Sequence, residues 1–220
     1  MTGSSDAASG AASDSFPDTV PGERLVELTA VMTRMRTECA WKAGQTHRSL
    51  ARFLLEETHE TLEAIELGDR EHLREELGDL LLQVWFHAEI AAETGAFTID
   101  DVAADLIAKM VRRNPHVFGD AASSDDPAEI NEIWQAIKAD EKQRTSVFDG
   151  LPPTLPALLL ADKVLDRQAR EGRTVPALVD VSDADADLGD RLLALVDEAR
   201  RDGVDPEQAL RDAVRRTAGT

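Results

Sequence analysis

Leu55-Glu56-Glu57-Thr58-His59-Glu60 and, sixteen residues beyond Glu60, Glu76-Leu77-Gly78-Asp79-Leu80-Leu81-Leu82 are the stretches that decide how this chain is read. The first carries an ExxE pattern, the second an ExxD. Three-residue spacing puts both members of each pair on one helical face. Laid out at about 100° per residue, the first helix gathers Leu50, Phe53, Leu54, Ala64 and Ile65 on one stripe. Glu57 falls inside that stripe and Glu60 at its edge, with His59, Glu63 and Glu66 opposite. The second helix, Leu73 to Ala92, is apolar almost all round, which predicts a buried helix. Glu76, Asp79 and Gln83 share one narrow face of it.

An unpaired buried carboxylate costs several kcal/mol, so such groups pair, protonate or bind metal. The competing reading is that these acids are ordinary solvated charges, in a chain where 30% of residues are charged. Their position on two consecutive faces expected to be buried favours metal. Two metal readings follow. A di-iron bundle needs two Glu-x-x-His motifs; Glu56-His59 supplies one, no second follows in the core, and His59 points away from the apolar stripe. The other is Mg²⁺, a hard cation held by a few carboxylates together with substrate phosphates. That reading requires nearby cations and a stacking group, for which Lys109, Arg112, Arg113, Lys138, Trp41 and Trp134 are available.

Composition narrows the classes further. With 43 Asp+Glu against 24 Lys+Arg, the 220-residue chain carries a net charge of −19. No basic footprint for a nucleic-acid backbone exists, although a nucleotide substrate needs only a few local cations. Cys39 is the sole cysteine and is expected to be a small near-core residue. No apolar run reaches the roughly 20 residues of a membrane span. The N-terminus lacks the basic and apolar regions of a signal peptide, so a cytoplasmic location is expected.

Residues 1–20 read as a disordered tail, 21–170 as a helical catalytic domain and 171–220 as a C-terminal helical segment. Thr46 to Ser49 opens one helix, which Gly68 and Asp69 end. Thr98-Ile99-Asp100-Asp101 has the pattern of a capping start. Asn114-Pro115 closes that helix, and Asp126-Pro127 opens another with Pro at its first position. Pro152, Pro153 and Pro156 precede a helix over about 156–170. No stretch alternates as strands do, Val175–Val181 being the one doubtful place. The fold class is therefore all-α. Leu188-Gly189-Asp190 echoes Leu77-Gly78-Asp79, with Asp187 where Glu76 stood, and suggests a degenerate second repeat without its ExxE.

Beyond these patterns, the chain resembles the MazG-like all-α nucleoside triphosphate pyrophosphohydrolases. The resemblance is carried by Cys39-Ala40-Trp41 with Gln45-Thr46-His47, by the two acidic stretches, and by Lys109 through Phe118 with its Pro115-His116-Val117-Phe118 block. Trp134 to Lys138 and Leu151-Pro152 through Leu158 also fit, so the match spans roughly residues 25 to 170. It implies a helical bundle, commonly a homodimer, in which Glu57, Glu60, Glu76 and Asp79 ligate Mg²⁺. Glu56 is implied as an extra ligand or as the group that orients water, so Glu56 and Glu57 are the catalytic candidates. Lys109 and Arg113, with Arg112, are implied as phosphate contacts; Trp134, Lys138 and Trp41 as nucleotide contacts. The implied reaction splits a nucleoside triphosphate into monophosphate and pyrophosphate, clearing non-standard nucleotides. The alternative is a non-catalytic MazG-like dimer that binds a nucleotide or protein. Lys42 and Asn114 depart from the family pattern, which has an acid and a His there.

Overall fold

The computed structural model describes residues 22–119, 126–142, 146–170 and 178–219. The expected tail over 1–20 lies outside these residues, as do residues 175–177 of the Val175–Val181 run; residues 178–181 form no strand. Every regular element among the described residues is a helix, in agreement with the all-α expectation. The chain divides into two compact units at Ser123/Ser124, a different place from the boundary expected near residue 170.

The first unit holds α1 (Glu23–Glu38), the short α2 (Ala40–Ala43), α3 (His47–Leu67), α4 (Arg70–Ala92), α5 (Ile99–Arg113) and the short α6 (Pro115–Phe118). Local chemistry sets these boundaries. Thr46 caps α3, its hydroxyl accepting from the Ser49 amide while Ser49 Oγ accepts from the Thr46 amide, which satisfies two otherwise orphaned donors. Thr98 and Asp101 make the same reciprocal pair at the start of α5. Gly68, at φ 69°, ends α3 in the left-handed region, where glycine meets no Cβ penalty. Asp69 then caps α4 by accepting from the Glu71 and His72 amides. With only Gly68 and Asp69 between them, α3 and α4 must run antiparallel and side by side.

Met32, Leu50, Trp85 and Phe86 form the buried centre of this unit, with Leu28, Met35, Phe53 and Ile90 packed around them. Burying side chains of this size is worth about 1.5–3 kcal/mol each. The Trp85 indole N–H donates to Thr29 Oγ1 at 3.1 Å, so the ring is buried without an orphaned donor. The expectation that α4 is buried all round is corrected. Leu77 is 52% and Val84 41% exposed, and on α3 Leu54 and Ile65 are exposed as well. The buried stripe of α3 runs instead through Leu50, Thr61 and Ala64, with Phe53 and Glu57 half-buried. One flank of the α3–α4 pair thus meets the core and another carries uncovered apolar side chains. His59 and Glu63 are exposed as expected, whereas Glu66 is half-buried.

The second unit contains α7 (Pro127–Lys142), α8 (Ala157–Arg170), α9 (Leu188–Arg201) and α10 (Pro206–Ala218). Helix α8 packs against α9 and α10, with Leu165, Ala194 and Val196 buried. The echo of the second acidic stretch begins its helix differently. Asp187 is the N-cap of α9, accepting from the Gly189 amide at 2.7 Å, whereas Glu76 lies inside α4.

Arg36 is the main polar tie of the first unit. It is 8% exposed and donates to both oxygens of Glu93 at 2.5 and 2.9 Å. It also donates to the Gln45 carbonyl at 3.0 Å and to the Lys42 carbonyl. The pairing holds the Glu93 carboxyl below its ordinary range. Arg36→Ala should lower stability by about 2 kcal/mol, chiefly through carbonyls left unpaired, since half-exposed Glu93 regains water. Urea unfolding followed by far-UV circular dichroism checks this, and an unchanged midpoint would refute it.

Candidate metal centre

Helices α3 and α4 bring Glu57, Glu76 and Asp79 together. One carboxylate oxygen from each lies within 4.8 Å of the others. Glu57 projects from the buried stripe of α3; Glu76 and Asp79 come from adjacent turns of α4. Glu76 is 6% exposed. Its Oε1 is held by His72 Nε2, one turn earlier, at 3.0 Å, while Oε2 is buried with no hydrogen-bond partner. One turn beyond Asp79, Gln83 is 4% exposed and its Oε1 is likewise buried and unpartnered.

The electrostatics follow from this crowding. Burial raises the Glu57 carboxyl above its ordinary range, and the charges of Asp79, Glu60 and Glu76 push it further the same way. A hydrogen bond with Glu60 adds to the effect, because two carboxyl groups can share such a bond only if one keeps a proton. At an effective dielectric near 20, two unit charges this close repel by about 3–4 kcal/mol. A divalent cation removes that repulsion and gives the orphaned Glu76 oxygen a partner. An all-oxygen donor set of this kind suits a hard cation rather than zinc or copper. The residues therefore fit a metal.

The other expected residues fall in different places. Glu60 is exposed but reaches Glu57. Glu56 stays outside the cluster, exposed, with Arg52 3.5 Å away. Trp41 is 57% exposed and meets Phe53 edge-on, the ring centroids 6.3 Å apart. Lys42 lies over both the Trp41 and Phe86 rings, a cation–π placement. On α5, Lys109 and Arg112 line a groove of about 690 Å³ that also carries Asp101 and Asp105. Arg113 is buried. Trp134 and Lys138 belong to the second unit, the Lys138 ammonium 4.7 Å from the Trp134 ring.

Two features escaped the sequence reading. His72 is the partner of Glu76, and its i,i+4 spacing was the available signal. The second is that His47 and His87, 40 residues apart, are each other's partners. Their Nδ1 atoms lie 2.7 Å apart across the α3–α4 seam. Burial, then the neighbouring His47, lowers the His87 pKa. His116 has a buried Nδ1 with no hydrogen-bond partner. Gly78 sits between the two α4 ligands, and a Cβ there would meet nothing within 4 Å. No second group of three such ligands forms among the described residues.

Comparison with known proteins bears on this arrangement. A family model described as the MazG nucleotide pyrophosphohydrolase domain matches residues 45–118, a span that contains all three clustered acids. A Thermotoga maritima protein named nucleoside triphosphate pyrophosphohydrolase/pyrophosphatase MazG is 37% identical, over 86% of this chain and 81% of that one. The chain belongs to the MazG family. A Mycobacterium tuberculosis protein named nucleoside triphosphate pyrophosphohydrolase is 49% identical over 75% of this chain, which spans 51% of that relative's length. An uncharacterized Streptomyces cacaoi protein is 46% identical, over 88% of this chain and 79% of its own. The MazG match stops at Phe118, within the first unit. Among the described residues no helix is long and apolar enough to cross a membrane.

The raised pKa of Glu57 gives a signed expectation. The metal-free fold holds that proton more tightly than the unfolded chain does. The contribution favours folding at low pH and is lost as pH rises through the raised Glu57 value. Glu57→Gln should therefore stabilise the metal-free protein near neutrality and flatten that part of the pH profile. Thermal melts in chelator from about pH 4 to about pH 8 test this; parallel profiles for variant and wild type would contradict it.

Proposed function

We propose that the chain is a Mg²⁺-dependent nucleoside triphosphate pyrophosphohydrolase, releasing pyrophosphate and a nucleoside or deoxynucleoside monophosphate, and that it clears non-standard nucleotides as a homodimer. The observation that carries the reading is the convergence of Glu57, Glu76 and Asp79 within 4.8 Å. The names of the Thermotoga and Mycobacterium relatives supply the reaction class.

Glu57, Glu76 and Asp79 would hold the ion, with Glu60 completing the set from the exposed edge. Mg²⁺ bound there supplies charge neutralisation for phosphate oxygens and a water of lowered pKa. His72 orients Glu76 by holding one of its oxygens, leaving the other for the ion, the usual work of an outer partner. Glu56 remains the group we assign to orienting the attacking water. Its pair with Arg52 is exposed, and such pairs are worth about 1 kcal/mol or less, so it does not fix the carboxylate away from the cluster. Lys109 and Arg112 are assigned to phosphate, with Arg113 supporting the end of α5 from its buried position. Trp41 offers an exposed ring for a base, and Trp134 with Lys138 a second aromatic–cation pair. A non-catalytic binding protein is the second reading. It gives no reason to gather three mutually repelling carboxylates, and buried Glu76 in particular gains nothing from them without a cation.

The homodimer rests on uncovered apolar surface. On α4, Leu77 and Val84 lie on one exposed face, and on α5 Leu106 and Ile107 are 50% and 63% exposed. Surface of this kind commonly marks an association site. A second copy covers it symmetrically.

Pyrophosphate release from a panel of nucleoside triphosphates, with and without Mg²⁺, tests the reaction. Activity should need the metal, and Glu57→Gln and Asp79→Asn should each cut turnover by about a hundredfold or more; no release from any triphosphate would sink the proposal. For the assembly, sedimentation should find a dimer that Leu77→Asp converts to monomer, and a monomeric wild type would exclude it.

A further inference from the structure

Two buried oxygens of α4 have no hydrogen-bond partner, Glu76 Oε2 and Gln83 Oε1. Seven residues separate them, close to two helical turns. They therefore lie along one side of α4, with Asp79 on the turn between them. Long side chains on a helix lean toward its N-terminus, which carries the Gln83 amide back over the turn that holds Asp79. Gln83 is 4% exposed, so bulk water is not its partner.

The surrounding protein has no donor at hand for this oxygen. His72 is taken up by the other oxygen of Glu76, and His47 and His87 hold each other. The core-side residues of α3 before Glu57 are Leu50 and Phe53, which carry no donor. Buried side-chain amides of purely structural use are as a rule hydrogen-bonded. An apolar residue would fill the position with no polar atom left bare, and α4 carries leucine at the three positions after Asp79. A glutamate would also offer an oxygen, but it would add to the repulsion that already raises Glu57. A neutral carbonyl adds an oxygen to this side of the helix without adding charge.

We propose that Gln83 belongs to the cation site, its amide oxygen facing the hydrated ion that Glu57, Glu76 and Asp79 would hold. Hard cations accept amide carbonyl oxygens beside carboxylates, and Mg²⁺ keeps several waters whose protons such an oxygen can accept. The inference rests on the Mg²⁺ reading for the ion and is independent of the pyrophosphohydrolase reaction.

Mn²⁺ alone, titrated into the full chain without nucleotide and followed by the loss of its free-ion paramagnetic resonance signal, tests this apart from turnover. Gln83→Leu should weaken Mn²⁺ binding about tenfold, as loss of a supporting group around a metal does. In chelator the same variant should melt at or above the wild-type midpoint, because an orphaned polar group has been removed from the metal-free fold. Gln83→Met, unbranched and of similar length, repeats both readings should leucine fit poorly. No Mn²⁺ binding by the wild type would remove the cation site and this inference together. Wild-type binding that both variants leave unchanged would overturn the inference alone, with the carboxylate site standing. A lower metal-free midpoint in both variants would make the amide a structural one and overturn it as well.

Discussion

Three carboxylates that repel one another are held within 4.8 Å by two helices that cannot move apart. The rest of the first unit can be read as the means of enforcing that arrangement. Leu50 and Phe86 lock α3 to α4 from the core side, and the two-residue link at Gly68-Asp69 fixes their relative direction. His72 restrains Glu76, and the His47–His87 pair closes the far end of the seam. Apolar burial thus offsets an electrostatic cost concentrated at one point. Such local cost is characteristic of functional sites, where rules obeyed elsewhere in a fold are broken.

Much of this was legible in the sequence, for identifiable reasons. Thr46, Gly68, Thr98 and Pro127 act within a few residues of themselves, so helix ends could be read directly. Glu57, Glu76 and Asp79 were legible because three-residue spacing and the surrounding apolar residues place them on inward faces. What failed was the distinction between two kinds of apolar surface. Leu77 and Val84 look like core residues in a pattern, yet they are exposed in the folded chain; a helical period records that a face is apolar, not what covers it. Arg36 and Glu93 are 57 positions apart, and nothing local in either residue announces the other. Asp187 stands where Glu76 does in the pattern because Leu-Gly-Asp follows both. Its side chain instead satisfies the first turn of α9.

The second unit makes a contrasting use of charge. In the first unit, acids are gathered where a cation would relieve them. In the second, Lys138, Lys163, Arg167 and Arg170 line one cavity together with Asp166.

The link at Gly68-Asp69 has a consequence for the order in which this chain acquires structure. All three clustered acids come from the stretch between residues 57 and 79, the facing halves of a single helical hairpin. Contacts this local close small loops and form early. A hairpin emerging during synthesis would already carry the full set of oxygens before α5 exists. A divalent cation present at that moment binds the paired helices and not the separated ones, and so pulls their docking forward by mass action.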